Sequence, residues 1–382
     1  MSVLRRLDWS LLLAVLLLTA LGLVLVASAT AGSGTGAGGA YDHGQGTRAY
    51  LVRQLGAVVM GGLCTGLVVW LGQRRLRLTV PVCYAGSLVL LTLVLLVGVP
   101  VNGVRGWLSL PLGIQLQPAE LSKVTLVLTI AALCAARART TGNAPGPADA
   151  ALVVLCALLP VGLVLAEPDL GSALIMVLIA AAMLVVSGVA ARVLVFLVLC
   201  VATVAAVAVV SGLLADYQID RFRAFLDPEH DPDGAGYNAL AAREAISAGG
   251  LLGAGLFRGA RTAGSFVPEQ HTDFVFTVAG EELGFIGSAG LVLLLAFVVW
   301  RAIRIARSAS DEFGRLAAAG IASWLAVQSF ENIGMTIGLT PITGVPLPFV
   351  SYGGSSIIAS FLAVGVLAAI RMESSRFPEY SR

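Results

Sequence analysis

Trp9-Ser-Leu-Leu-Leu-Ala-Val-Leu-Leu-Leu-Thr-Ala-Leu-Gly-Leu-Val-Leu-Val-Ala-Ser-Ala-Thr30 is a run of 22 residues with no charge. A hydrocarbon core about 30 Å thick takes about 20 apolar residues in a helix. Arg5 and Arg6 precede the run, as basic residues precede a secretory signal. The run is long and similar ones follow it, so it reads as an uncleaved first span. Nine more spans are predicted over 50–71, 79–98, 119–136, 150–166, 170–188, 192–214, 274–303, 314–338 and 355–370. Of the 382 residues, 58% are hydrophobic and 12% charged, against about 25% charged in an ordinary soluble domain. Most of the surface must therefore face lipid. The expected fold is an all-α polytopic membrane protein: one transmembrane domain over residues 1–382, with about ten helices. It carries one large extracytoplasmic loop, 215–273, between helices 7 and 8.

The basic residues orient it. With the N-terminus in the cytoplasm, fifteen arginines fall inside, including the clusters at 74–77, 137–139 and 301–307. The short outer segments hold four basic residues: Arg48, Arg53, Arg105 and Lys123. Cytoplasmic loops carry the excess of Lys and Arg, so both termini are expected in the cytoplasm.

Several function classes drop out. The net charge of +2 and the absence of a basic, aromatic-rich surface argue against nucleic acid. The five cysteines all lie in predicted spans, so no disulfide framework or Cys-x-x-Cys metal site is indicated. Three scattered histidines do not make a zinc site. There is no Gly-x-x-x-x-Gly-Lys phosphate loop, and so no sign of nucleotide use.

Ionisable groups at membrane depth are expensive and usually face the bundle interior or a wet cavity. Four places qualify. The first is Val101-Asn-Gly-Val-Arg-Gly-Trp-Leu108 with Gln117-Pro-Ala-Glu-Leu-Ser-Lys123. Pro118 suits a first helical turn, and Glu120 and Lys123 share one helix face. They are either an internal ion pair or the polar wall of a cavity. The second is Glu167-Pro-Asp169, where Asp169 reads as an N-cap and Glu167 stays unassigned.

The third is the long loop, with Asp220-Arg-Phe-Arg223, Asp231-Pro-Asp233, the glycine run 249–255 and Val267-Pro-Glu-Gln-His-Thr-Asp-Phe274. Asp231-Pro-Asp233 has the spacing of a metal-holding Asp-x-Asp, but a solvated turn is the commoner use of such residues. The glycine run matches no dinucleotide fingerprint and reads as flexible or tightly packed. Asp273, beside Glu269 and His271, is either a helix N-cap, as is Thr272, or a general base or metal ligand at the rim of the bundle. The fourth is Gly344-Val-Pro-Leu-Pro-Phe-Val-Ser-Tyr-Gly-Gly-Ser-Ser356. Its prolines and glycines exclude a continuous helix. Irregular backbone at this depth needs a cover of protein or a cavity, and Ser355 is a candidate cap.

These segments carry a resemblance. With Asp8-Trp9, Gly236-Tyr-Asn238, Gly280-Glu-Glu-Leu-Gly-Phe-Ile-Gly287 and Glu331-Asn-Ile-Gly-Met335 they follow one order along nearly the whole chain. In that order they resemble the SEDS family of bacterial cell-wall glycosyltransferases (shape, elongation, division and sporulation). Thr340-Pro-Ile-Thr-Gly-Val-Pro-Leu-Pro-Phe349 is more similar to the elongation branch, RodA, than to the division branch, FtsW. Arg105-Gly106-Trp107 departs from the pattern, since many relatives place the basic residue directly before Trp. That puts a role for Arg105 in doubt.

The resemblance implies a peptidoglycan glycosyltransferase in the bacterial cytoplasmic membrane, polymerising lipid II at the outer face during elongation. It implies an essential acid at Asp273. Glu269, His271, Glu120, Lys123, Trp107, Arg221, Arg223, Ser351 and Tyr352 then become candidates for binding or supporting the substrate. A divalent cation, Mg or Mn, on Asp273 would help carry the diphosphate charge, and no nucleotide is needed. A class B penicillin-binding protein is the implied partner, with membrane lipids around the bundle. A lipid flippase or transporter using Glu281, Glu282 or Glu331, a division-type paralogue and a non-catalytic scaffold remain as other readings.

Overall fold

The computed structural model describes residues 6–31, 46–101, 104–110, 114–141, 145–210, 216–230, 234 and 236–375. Helices dominate. The first six are α1 (Trp9–Ala31), α2 (Thr47–Val97), α3 (Pro118–Thr141), α4 (Pro147–Ala166), α5 (Leu170–Val186) and α6 (Ala191–Val210). Then come α7 (Asp216–Leu226), α8 (Tyr237–Ala248), α9 (Ala260–Ala263), α10 (Val275–Arg307), α11 (Glu312–Ile337) and α12 (Gly354–Ser374). The spans read from the sequence overlap these helices, two of them within α2, and residues 211–214 of the span 192–214 lie outside the described residues. Among the described residues, six helices are long and apolar enough to cross a membrane: α1, α2, α3, α4, α10 and α12. The 51 residues of α2 are two helices that meet at Gly72, whose φ is +70°.

Lipid contact and packing sort the helices. In α12, 83% of the apolar window is buried; in α2 it is 22%. Thus α12 is a core helix and α2 displays Leu63, Leu67, Trp70, Leu78 and Val82 outward. Apolar surface gains little by leaving lipid, so helices associate there through close packing of small residues. A Cβ on Gly365 of α12 would lie 3.0 Å from the Thr65 Cα of α2. Asp8 opens α1 as its cap, accepting from Leu11 N–H at 3.2 Å.

The fold is mostly helical and polytopic as expected, with one small addition. Strands β1 (Val99–Val101), β2 (Val104–Leu110) and β3 (Ile114–Leu116) form an antiparallel sheet in the order β1-β2-β3 between α2 and α3. Among its described residues the 215–273 segment contains α7, α8 and α9.

The glycine run of that segment has a definite task. Helix α10 breaks at Gly284, with φ +67°. The N–H groups of Ala254 and Gly255 donate to the carbonyls of Glu281 and Glu282 at 2.9 and 3.0 Å. Phe285 and Ile286 N–H donate in turn to the carbonyls of Gly250 and Leu251 at 2.9 and 3.2 Å. An unpaired backbone group in lipid costs several kcal/mol, so this exchange is what permits the break. A Cβ on Gly284 would come within 2.3 Å of Gly253 N. Tight packing is therefore the correct reading of the run.

Candidate active site

The turn before α10 is built on Glu269, a non-glycine residue at φ +51°. Its carbonyl accepts from the N–H groups of Thr272, Asp273 and Phe274 at 3.2, 3.1 and 3.2 Å. Its carboxylate accepts from Thr272 Oγ1 at 3.0 Å. Phe274 occupies the N-cap of α10 with no side-chain cap bond, so neither Thr272 nor Asp273 caps that helix. Among the described residues no hydrogen-bond donor reaches the half-buried Asp273 carboxylate. The backbone is held elsewhere: Asn332 Nδ2 on α11 donates to the carbonyls of Asp273 and Val345, both at 2.7 Å. This clamps the 339–353 segment to the Asp273 turn. A Cβ on Gly344 would lie 3.2 Å from Asp273 Oδ2, so that segment backs directly onto the carboxylate.

Burial pushes the Asp273 carboxyl up to about 7, with the charges of Glu269, Asp169 and Glu120 acting in the same direction and Arg221 opposing them. A carboxylate balanced near neutrality with no structural bond to make is suited to accept a proton. Arg221 is thus brought into electrical reach of Asp273. Arg223 is not: it is exposed and pairs with Asp220 on α7 at 3.6 Å.

Asp169 caps α5 as expected, accepting from Ser172 N–H at 2.9 Å, and its other oxygen accepts from Gln117 Nε2 at 3.2 Å. Beside it, Glu167 is fully buried and neither carboxylate oxygen has a partner among the described residues. A Cβ on Gly106 in β2 would lie 3.5 Å from Glu167 Oε2. Strand β2 therefore closes over this acid at Gly106, and Trp107 is half-buried next to it in the sequence. Burial, helped by the Asp169 charge, pushes the Glu167 carboxyl up to about 8.

A testable consequence follows from linkage. Below the usual carboxylate range the folded and unfolded chains are both protonated there, and the acid has no pH-dependent cost. As pH rises the unfolded chain ionises first, so stability falls progressively until about pH 8, where the folded form ionises too. Glu167→Gln should raise the apparent melting temperature by about 3–6 °C at pH 8 and leave it unchanged at pH 4. An equal shift at both pH values, read by differential scanning fluorimetry, would refute the neutral buried acid.

Glu120 and Lys123 are the internal ion pair, at 2.6 Å and essentially without exposure. Lys123 Nζ also donates to Gln328 Oε1 at 2.8 Å. Gln328 accepts from Trp324 Nε1 at 2.7 Å and donates to the Pro346 carbonyl at 2.8 Å. The pair is thus wired into the same 339–353 segment that backs Asp273. His271 packs against Tyr50 and Tyr352 with ring centroids 5.1 and 5.5 Å apart. Its carbonyl accepts from Tyr352 N–H at 2.9 Å. Burial raises the Tyr352 hydroxyl's pKa, opposed by Arg53. Ser351 Oγ accepts from Leu347 N–H at 2.8 Å, shaping the turn. Ser355 is not the cap of α12, which starts after Gly353; it accepts from Gln117 N–H at 2.8 Å instead.

Glu281 accepts from Arg261 N–H and Thr262 N–H, both at 2.8 Å, and Glu282 from Ser28 Oγ at 2.6 Å. These acids tie the 259–262 backbone and α1 to α10, which leaves them poor candidates for a transport path. Asp231-Pro-Asp233 lies outside the described residues. Among the described residues no three His, Cys, Asp or Glu side chains converge to hold a metal. Sequence reasoning missed Asn332, Gln328, Tyr50 and the buried state of Glu167. The available signal was polarity inside apolar helices, as at Gln328 and Asn332 of α11.

The FtsW/RodA/SpoVE family, described as a cell cycle protein, matches residues 8–376. The chain is 37% identical over 375 residues to a probable peptidoglycan glycosyltransferase FtsW of Trichlorobacter lovleyi, covering 95% of this chain and 92% of that one. It is 35% identical over 323 residues to the peptidoglycan glycosyltransferase MrdB of Escherichia coli K12, covering 83% and 84%. Among solved structures it is similar to a chain of a peptidoglycan synthase complex that coordinates polymerization and crosslinking. There the TM-score is 0.76 at 32% identity, with 96% and 98% of the two chains covered. It is similar also to the rod shape determining protein RodA of Thermus thermophilus, with TM-score 0.67, 31% identity and 96% of each chain covered.

Proposed function

The chain belongs to the FtsW/RodA/SpoVE family, is a peptidoglycan glycosyltransferase of the SEDS type and, from that premise, we propose that it polymerises lipid II with Asp273 as general base. The observation that carries this is the Asp273 carboxylate itself: half-buried, unused by the fold and held near neutrality. An acceptor sugar hydroxyl loses its proton to Asp273 as its oxygen attacks the anomeric carbon of the donor. The bond from that carbon to the diphosphate breaks, and the lipid diphosphate leaves. The donor supplies the energy, so no nucleotide takes part.

Arg221, whose charge reaches Asp273, is a cation placed to offset the diphosphate charge, and Lys123 is held by Glu120 and Gln328. Asp273 and Glu269 offer one or two carboxylates to a divalent cation, Mg or Mn. Such an ion would be held by Asp273 and Glu269 and would supply positive charge toward the leaving group. Glu167, Trp107, His271, Ser351 and Tyr352 shape the surroundings. The wording of 340–349 favours elongation over division, although relatives of both branches are similar at this level. By the same reading the active site faces outward in the bacterial cytoplasmic membrane, the termini lie in the cytoplasm, and the partner is a class B penicillin-binding protein.

The purified chain, alone and with such a transpeptidase, should convert fluorescent lipid II to glycan polymer on gels. Lipid movement across vesicles without polymer would mean a transporter, and neither activity in the presence of the partner would mean a scaffold. Rescue of a rod-shape mutant but not a division mutant would assign the elongation branch.

A further inference from the structure

Away from Asp273, where α1 begins and α10 and α12 end, there is a polar cavity. Helix α1 begins there at Asp8 and runs towards Ser28, which bonds Glu282 near the start of α10. Helix α10 then returns to Arg301, which pairs with Asp8. Beyond the break at Gly284, Arg301 lies 16 residues after Phe285 on α10, about 24 Å at helical rise.

The cavity measures about 450 Å³ and is lined by Arg6, Asp8, Ser10, Arg301, Arg371 and Ser375, with Trp9 at its edge. Asp8, 7% exposed, accepts from Ser10 Oγ at 2.7 Å and from Arg301 Nε at 3.1 Å. It neutralises Arg301 alone. Arg6 and Arg371 have no ion pair among the described residues, so three guanidinium groups face one carboxylate.

The surroundings belong to lipid. Trp9 is 58% exposed and Leu13, Leu16 and Leu17 continue its outward face along α1. Trp300 is 44% exposed, and the Arg301 and Arg304 guanidinium groups lie 5.4 and 4.8 Å from its ring centroid. Exposed Trp on lipid-facing helices marks the headgroup level of a membrane. Guanidinium groups recognise phosphate through paired N–H donors.

We propose that this cavity binds the headgroup phosphate of an anionic phospholipid, with Arg6 and Arg371 as the phosphate-contacting residues and Asp8 holding Arg301 as the third wall. The acyl chains lie against the apolar face of α1. An unpaired arginine excess at a lipid-facing rim is the feature that selects an anionic lipid over a zwitterionic one.

The test uses the full-length protein in detergent micelles, titrated with phosphatidylglycerol or phosphatidylcholine and read by native mass spectrometry. Arg6→Gln/Arg371→Gln should weaken phosphatidylglycerol binding about tenfold and leave phosphatidylcholine binding and the melting temperature without lipid unchanged. Equal phosphatidylglycerol affinity in the variant would overturn the proposal. Displacement of the lipid by millimolar inorganic phosphate would also overturn it, since the site would then serve free phosphate. A second measurement needs no variant: brominated phosphatidylglycerol should quench tryptophan fluorescence of the wild-type chain saturably. Its release by unlabelled phosphatidylglycerol but not by phosphatidylcholine supports the site, and release by both lipids equally sinks it.

Discussion

Asp273→Asn should lower polymerisation of lipid II by about 10²–10⁴-fold, the range a positioned general base contributes, while the protein still folds. No described residue donates to the carboxylate, and the turn is held by the Glu269 carbonyl and Asn332 through backbone groups. Asparagine therefore disturbs no structural bond. The base acts only when ionised. Burial places its pKa at about 7, so kcat/KM should fall below pH 7 with unit slope and level off above it. Arg221 lowers that pKa; Arg221→Gln should move the limb to higher pH. A limb near pH 4 in the wild-type chain would contradict the raised pKa, and polymer formed at the normal rate by Asp273→Asn would remove Asp273 from the chemistry.

Legibility in the sequence followed the range of the interactions. Helical runs are local and were readable from apolar length alone, as were the N-terminal Pro118 of α3 and the Asp169 cap of α5. The small sheet was not read, although Asn102-Gly103 is a strong two-residue hairpin signal. Its strands are only three to seven residues long, too short for periodicity to register. Helix α8 was hidden because its sequence, Tyr237-Asn-Ala-Leu-Ala-Ala-Arg-Glu-Ala-Ile-Ser-Ala248, lies between stretches of Asp, Pro and Gly that read as loop.

The break at Gly284 sits in a helical pattern, and its partner strand of backbone, 250–255, is some thirty residues upstream. No local rule pairs the two. In the active site the chemistry-bearing types were visible as charges at the membrane rim, but their division of labour was not. Spacing left Asp273 open between cap and base, and Glu120 with Lys123 open between ion pair and cavity wall. Tertiary hydrogen bonds from α11, through Gln328 and Asn332, are what separate these roles.

The ion pair gives the second large effect. Lys123→Met should destabilise the folded chain by about 3–5 kcal/mol, because it leaves the Glu120 carboxylate buried without its cation. One Glu120 oxygen already lacks a partner among the described residues, so nothing nearby substitutes for the lost ammonium. Gln328 loses a donor at the same time, and its contact to Pro346 loosens the segment behind Asp273. The double variant Glu120→Gln/Lys123→Met removes the charge altogether and should recover most of the folded yield, since an uncharged replacement of a buried pair is often neutral. Activity per folded molecule then separates the two readings of the pair. Recovery of polymerisation together with folding, measured by size exclusion and lipid II turnover on the same samples, means that the pair acts only as framework. A double variant that folds but stays inactive means that Lys123 also meets the donor's diphosphate. A stable, fully folded Lys123→Met single variant would contradict the burial of the pair itself.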